Sequence, residues 1–158
     1  MALVYFDSSA LVKLVVQEEG SDVAAGLWDG CDAALASRLA YPEVCAALAA
    51  AGRNHDLSQD DLDAAEQAWE RYWASVRPVE LTAAVERQAG QLARTHALRG
   101  ADAVHLASAL ALADPDLIIA AWDRRLHAGA GAAGLHVAPA ELPRADLPSP
   151  PAQQATDS

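Results

Sequence analysis

The sequence predicts an α/β protein: a single domain built on a parallel sheet of four or five strands flanked by helices. Three observations carry this. Short apolar runs alternate with longer segments of helical spacing, the pattern of strands joined by crossover helices. Two of the runs, Leu3-Val4-Tyr5-Phe6 and Leu117-Ile118-Ile119-Ala120-Ala121-Trp122, stop on an acid, Asp7 and Asp123. Alanine is the commonest residue and aromatics make up only 5%, which suits helices packed closely on small side chains. A chain of 158 residues is long enough to bury a real core as one domain.

In chain order, the first run is short, continuous and rich in β-branched and aromatic residues, so it reads as a buried strand. Ser8 and Ser9 are good N-caps for a helix through Ala10–Val16. Ser21 and Asp22 cap a short helix that Gly30 stops. Ala33–Ser37 is a weak strand candidate, because alanine forms strands poorly. Pro42 marks the start of the regular part of the next helix, with Glu43 in its first turn and Gly52 closing it. Ser58 opens a helix whose stripe Leu62, Ala65, Trp69, Trp73 and Val76 has helical spacing. That stripe suits core packing, or else an arm that grips a partner. Pro78–Leu81 is a short strand, and Thr82 caps a helix running to about His96. Ala101–Leu110 is an Ala/Leu helix with Asp102 in its first turn. After the 117–122 strand come a short helix, Arg124–His127, a glycine-rich turn, and a last strand, Leu135–Val137. The domain is expected over residues 1–138, with a proline-rich, disordered tail over 139–158.

The formal net charge is −11, with 22 acids against 11 lysines and arginines. That balance argues against passive nucleic-acid binding, which needs a basic surface. It does not exclude an enzyme that recruits divalent cations to carboxylates, because the metal inverts the local field. Cys31 and Cys45 have no zinc or disulfide spacing and read as buried thiols of a reducing compartment. The first run is too short and too soon interrupted for a secretory leader, and no apolar segment reaches spanning length. A cytoplasmic protein without a membrane partner is the expectation.

Asp7 and Asp123 would meet at one sheet edge if their strands are neighbours, and helix starts at Glu43 and Asp102 can converge there. In open α/β sheets that edge is where ligands bind. Four crowded carboxylates repel one another, and a hard cation such as Mg²⁺ or Mn²⁺ relieves them. Such an ion activates water and stabilises a leaving oxygen, so the implied chemistry is metal-assisted hydrolysis. Acids also cap helices routinely, so the residues alone leave Glu43, Asp102 and Asp123 open to being only caps. His105 follows Asp102 on nearly the same helical face and reads either as a satisfied core histidine or as a contact beside the acids. A dehalogenase-like phosphatase would need an acid where Ser9 stands. A receiver-type domain needs a late lysine, and the only lysine is Lys13. No phosphate-binding P-loop is present.

Four blocks carry a family resemblance: Asp7-Ser8-Ser9-Ala10-Leu11-Val12-Lys13-Leu14, Ser37-Arg38-Leu39-Ala40-Tyr41-Pro42-Glu43-Val44, Leu98-Arg99-Gly100-Ala101-Asp102-Ala103-Val104-His105-Leu106-Ala107, and Ala121-Trp122-Asp123-Arg124-Arg125-Leu126. In this order the chain resembles the PIN-domain ribonucleases, most closely the VapC-type toxins of toxin–antitoxin pairs. The resemblance implies a PIN-like fold and a metal-dependent endoribonuclease that stops translation. It implies that Asp7, Glu43, Asp102 and Asp123 hold Mg²⁺ or Mn²⁺ and position water, with Ser9 as a hydroxyl beside the first acid. It also implies an RNA substrate, a small cognate antitoxin and a homodimer. Where the family often has threonine or serine shortly before the fourth acid, this chain has Ala120, Ala121 and Trp122. Arg99, Arg124 and Arg125, near the acids in sequence, are the candidate RNA contacts, since arginine suits phosphate. The alternative is a catalytically silent PIN-like module that only binds a partner.

Overall fold

The first run forms β1 (Leu3–Phe6) and leads directly into α1 (Ser8–Val15). The chain continues through α2 (Ser21–Gly30), β2 (Ala33–Ser37), α3 (Ala40–Arg53), α4 (Gln59–Ser75) and β3 (Arg77–Val79). Then follow α5 (Ala83–Thr95), α6 (Gly100–Leu110), β4 (Ile118–Ala120), α7 (Arg124–Ala132) and β5 (His136–Ala138). This computed structural model describes residues 1–143. Of the expected tail, residues 139–143 follow β5 as an irregular segment, and the remainder lies outside the described residues.

All pairings in the sheet are parallel, in the order β3-β2-β1-β4-β5. The chain builds outward from β1 on one side, then returns to build β4 and β5 on the other. The order therefore reverses between β1 and β4, and the crevice at the carboxyl ends of those two strands is the expected ligand site. The register Phe6↔Ala120 and the Asp7 N–H bond to the Ala120 carbonyl (3.1 Å) bring the segment ahead of Asp123 beside Asp7.

Alternation along the strands feeds two cores. Val4, Phe6, Ala34, Ala36 and Ala120 face α1–α4, where Leu11, Val44, Leu48 and Trp69 are buried. Tyr5, Leu35 and Ile119 face α5–α7, against Val85, Leu106 and Leu126. The Trp69 stripe is core, stacked on Tyr41 and tilted on Trp73.

Several local expectations shift. The cap of α1 is Asp7, not a serine: its carboxylate accepts from the Ala10 N–H, so Ser8 and Ser9 already lie in the helix. Helix α3 begins at Ala40, which puts Pro42 inside the first turn, where its missing N–H costs nothing. Strand β3 starts one residue early and ends before Leu81; Pro78 sits there on an edge strand, as proline must. The glycine-rich turn after His127 is instead the second half of α7. Gly129 packs closely on Leu98 there: a Cβ would stand 3.1 Å from the Leu98 side chain, which would have to give by a few tenths of an ångström. Cys31 and Cys45 are free but only half-buried.

Candidate active site

Asp7 ends β1 and caps α1, and it is 3% exposed. Its Oδ1 accepts from the Ala10 N–H at 2.8 Å. The Ser9 hydroxyl lies 2.7 Å from Oδ1 and 2.9 Å from Oδ2 and donates across the carboxylate. Ser9 Oγ in turn accepts from the Trp122 N–H at 2.9 Å. This one hydroxyl thus ties the end of β1 to the loop after β4, and it fixes how the carboxylate points. Burial pushes the Asp7 carboxyl up to about 6; His105, Ser9 and Ala10 oppose that rise, and the nearby Asp123 adds to it. Among the described residues no salt bridge reaches Asp7.

Glu43 comes from the first turn of α3. Its Oε2 accepts from the Ser8 hydroxyl and from His105 Nε2 at 2.6 Å. Half-burial pushes Glu43 up, but the His105 and Ser8 bonds outweigh it and the net direction is down. His105 is 3% exposed, and its other nitrogen, Nδ1, bonds Tyr5 Oη at 2.9 Å. Tyr5 Oη also accepts from the Ser37 N–H at 3.0 Å. His105 is therefore a satisfied core histidine and a contact to an acid at once.

Asp102 and Asp123 are joined by one guanidinium. Arg99 Nε donates to Asp102 Oδ2 at 3.0 Å and Nη2 to Asp123 Oδ2 at 2.7 Å. Asp123 Oδ1 meanwhile caps α7 through the Arg125 and Leu126 N–H groups. Asp123 lies three residues beyond β4, not directly at its end. Both Asp7 and Asp123 are thus caps, and they lie near enough for Asp123 to raise the Asp7 carboxyl.

The PIN-domain family model matches residues 4–131 of this chain. The chain belongs to the PIN-domain family. It is 70% identical over 142 residues to Ribonuclease VapC45 and to Ribonuclease VapC49 of two Mycobacterium tuberculosis strains, covering 90% of this chain and 99% of each relative. Among solved structures it is similar to Mycobacterium tuberculosis VapC20, a sarcin–ricin-loop-cleaving toxin, with a TM-score of 0.61 at 21% identity over 84% of this chain and 95% of that one. It is also similar to a chain of a toxin–antitoxin complex from Klebsiella pneumoniae, with a TM-score of 0.58 at 19% identity over 82% and 92% of the two chains. The fold is PIN-like, as the four blocks lead one to expect.

In this PIN domain, among the described residues, no three acidic, histidine or cysteine side chains stand ready-made as a cage for an ion. Arg99 and His105 hold the acids instead. The donor set nevertheless fits a hard divalent cation. Every donor is a carboxylate oxygen, and Asp7 is a buried carboxylate that no described lysine or arginine neutralises. Of the candidate RNA contacts, Arg99 is turned onto the acids. Arg124 and Arg125 are exposed on α7 and line a groove with His96, and Arg124 also donates to the Pro143 carbonyl. Sequence reasoning left out Tyr5 and Ser8. The spacing of Ser8 next to Asp7 was a signal for one; nothing local marks a strand tyrosine as the partner of a histidine a hundred residues later.

Proposed function

We propose that this PIN domain is a metal-dependent endoribonuclease acting as the toxin of a toxin–antitoxin pair, with Asp7, Glu43, Asp102 and Asp123 as ligands of Mg²⁺ or Mn²⁺. The observation that carries the reading is Asp7: a buried carboxylate at the strand-order reversal that no described lysine or arginine neutralises, with Asp123 near enough to raise it further. It is supported by high identity, across almost their full length, to proteins named as ribonucleases. A bound divalent ion supplies a Lewis acid and an activated water for phosphodiester hydrolysis.

The chain's own residues do the rest. Ser9 holds the Asp7 carboxylate in one orientation. Ser8 and His105 hold Glu43 ionised on one oxygen. Arg99 bridges Asp102 and Asp123 and offsets their charge, and its exposed guanidinium would also suit an RNA phosphate. Arg124 and Arg125 give the substrate strand a basic approach on an otherwise acidic protein.

The partners in this reading are RNA, a small antitoxin that covers the acids, and a second copy of the chain. No described helix is long and apolar enough to cross a membrane, and a cytoplasmic location suits an enzyme that acts on cellular RNA. The toxin role is tested by inducing the chain in a bacterial host. Growth arrest with RNA cleavage is expected, with Asp102→Asn harmless and the product of a small adjacent reading frame restoring growth. Normal growth on induction, with the folded protein present, would contradict the role and favour the silent binding module.

A further inference from the structure

Tyr5 and His105 form a buried relay that ends on Glu43. A carboxylate only accepts, so His105 Nε2 carries the hydrogen that faces Glu43 Oε2. In that tautomer Nδ1 accepts, and the Tyr5 hydroxyl donates to it. The Tyr5 oxygen is then free to accept the Ser37 N–H, and every member is satisfied.

What the relay connects gives it a purpose. Tyr5 lies on β1, two residues before Asp7. His105 lies on α6, three residues after Asp102. Glu43 lies on α3, across the sheet from α6. A glutamate side chain has several freely turning bonds, and ordering them costs entropy when no partner holds them. Here both hydrogen bonds that Glu43 accepts from described residues fall on Oε2, which leaves Oε1 for an ion or water.

We propose that Tyr5 and His105 are positioning residues that hold Glu43 in register with Asp7 and Asp102 for a divalent cation; the inference rests on the metal-site reading above. Neither residue touches the ion or the RNA. Groups that orient a ligand from behind typically change metal affinity by about 10–100-fold when removed.

The test is Mn²⁺ binding to the purified full chain, followed by electron paramagnetic resonance, with folding checked by circular dichroism. Tyr5→Phe removes a single oxygen and is expected to weaken Mn²⁺ binding roughly tenfold, His105→Leu at least as much. His105→Gln, which keeps an N–H donor, is expected to recover part of the loss. In a Glu43→Gln background, Tyr5→Phe is expected to change nothing further, which a merely structural role would not produce. In RNA cleavage, the Mn²⁺ concentration for half-maximal rate should rise in step while KM for RNA stays put. If His105→Leu fails to fold, Tyr5→Phe decides. Mn²⁺ affinity unaltered in folded Tyr5→Phe, or weakened equally with and without Glu43, would overturn the inference. No Mn²⁺ binding by the unaltered protein, or binding that Glu43→Gln leaves intact, would remove the metal-site reading and this inference with it.

Discussion

At Asp7 stability and chemistry pull in opposite directions. Burial raises its carboxyl to about 6 in the folded chain, above the value near 3.8 expected when unfolded. The folded state therefore binds the proton more tightly. That contribution is complete below about pH 4 and is lost as the pH rises through 6, at a cost of about 2–3 kcal/mol on the alkaline side. Asp7→Asn is expected to abolish cleavage and yet resist urea better than the unaltered protein at pH 8, by about 2 kcal/mol, the gain vanishing toward pH 4. Equal unfolding midpoints at both pH values would contradict this. Arg99 makes the complementary case. Its guanidinium bridges Asp102 and Asp123 but is 62% exposed, so solvent screens the pair. Arg99→Met should lower the melting temperature of metal-free protein by only about 2 °C, and saturating Mg²⁺ should erase the difference. Asp7 was visible in the sequence as a charge ending an apolar run. Arg99 was not readable as a counter-ion, because its second partner is the residue that caps α7, 24 residues away.

Among the elements, β1 and β4 were plain in the sequence because apolar, β-branched runs have few other uses. Strand β2 was faint: alanine has little strand preference, and what makes Ala33–Ser37 a strand is burial of all five residues between β1 and β3. The second half of α7 was read as a turn because the closeness of Leu98 to Gly129 is a tertiary fact. Gly20 shows the same dependence. It opens α2 at φ +88°, and a Cβ there would stand 2.7 Å from the Trp122 indole nitrogen. Trp122 also carries Lys13 over its ring and donates its backbone N–H to Ser9. Gly20→Ala is therefore expected to cost about 1–3 kcal/mol in chemical denaturation and to lower cleavage through the displaced Ser9. A neutral substitution would mean that Trp122 has room to move without disturbing the acid.

For the whole molecule, a net charge of −11 repels RNA, and in the proposed reading the arginines of α7 are expected to offset that repulsion locally. Arg124→Ala and Arg125→Ala are each expected to raise KM for RNA, leave Mn²⁺ affinity alone, and lower the salt slope of RNA binding by about 0.7. Charge and composition pointed away from a passive binder and left room for a cation-using enzyme. They carried no trace of how the acids are held, which depends on contacts between distant elements. The central claim is that the carboxylates at the β1–β4 crevice run a metal-dependent cleavage of RNA. The most direct test is to incubate a mixed cellular RNA pool with purified protein in Mg²⁺, in Mn²⁺ and in EDTA, beside Asp7→Asn. Discrete cuts that appear with either ion, and vanish with chelator and in the variant, are predicted. Cuts that persist in EDTA or in folded Asp7→Asn, or no cuts under any condition, would contradict it.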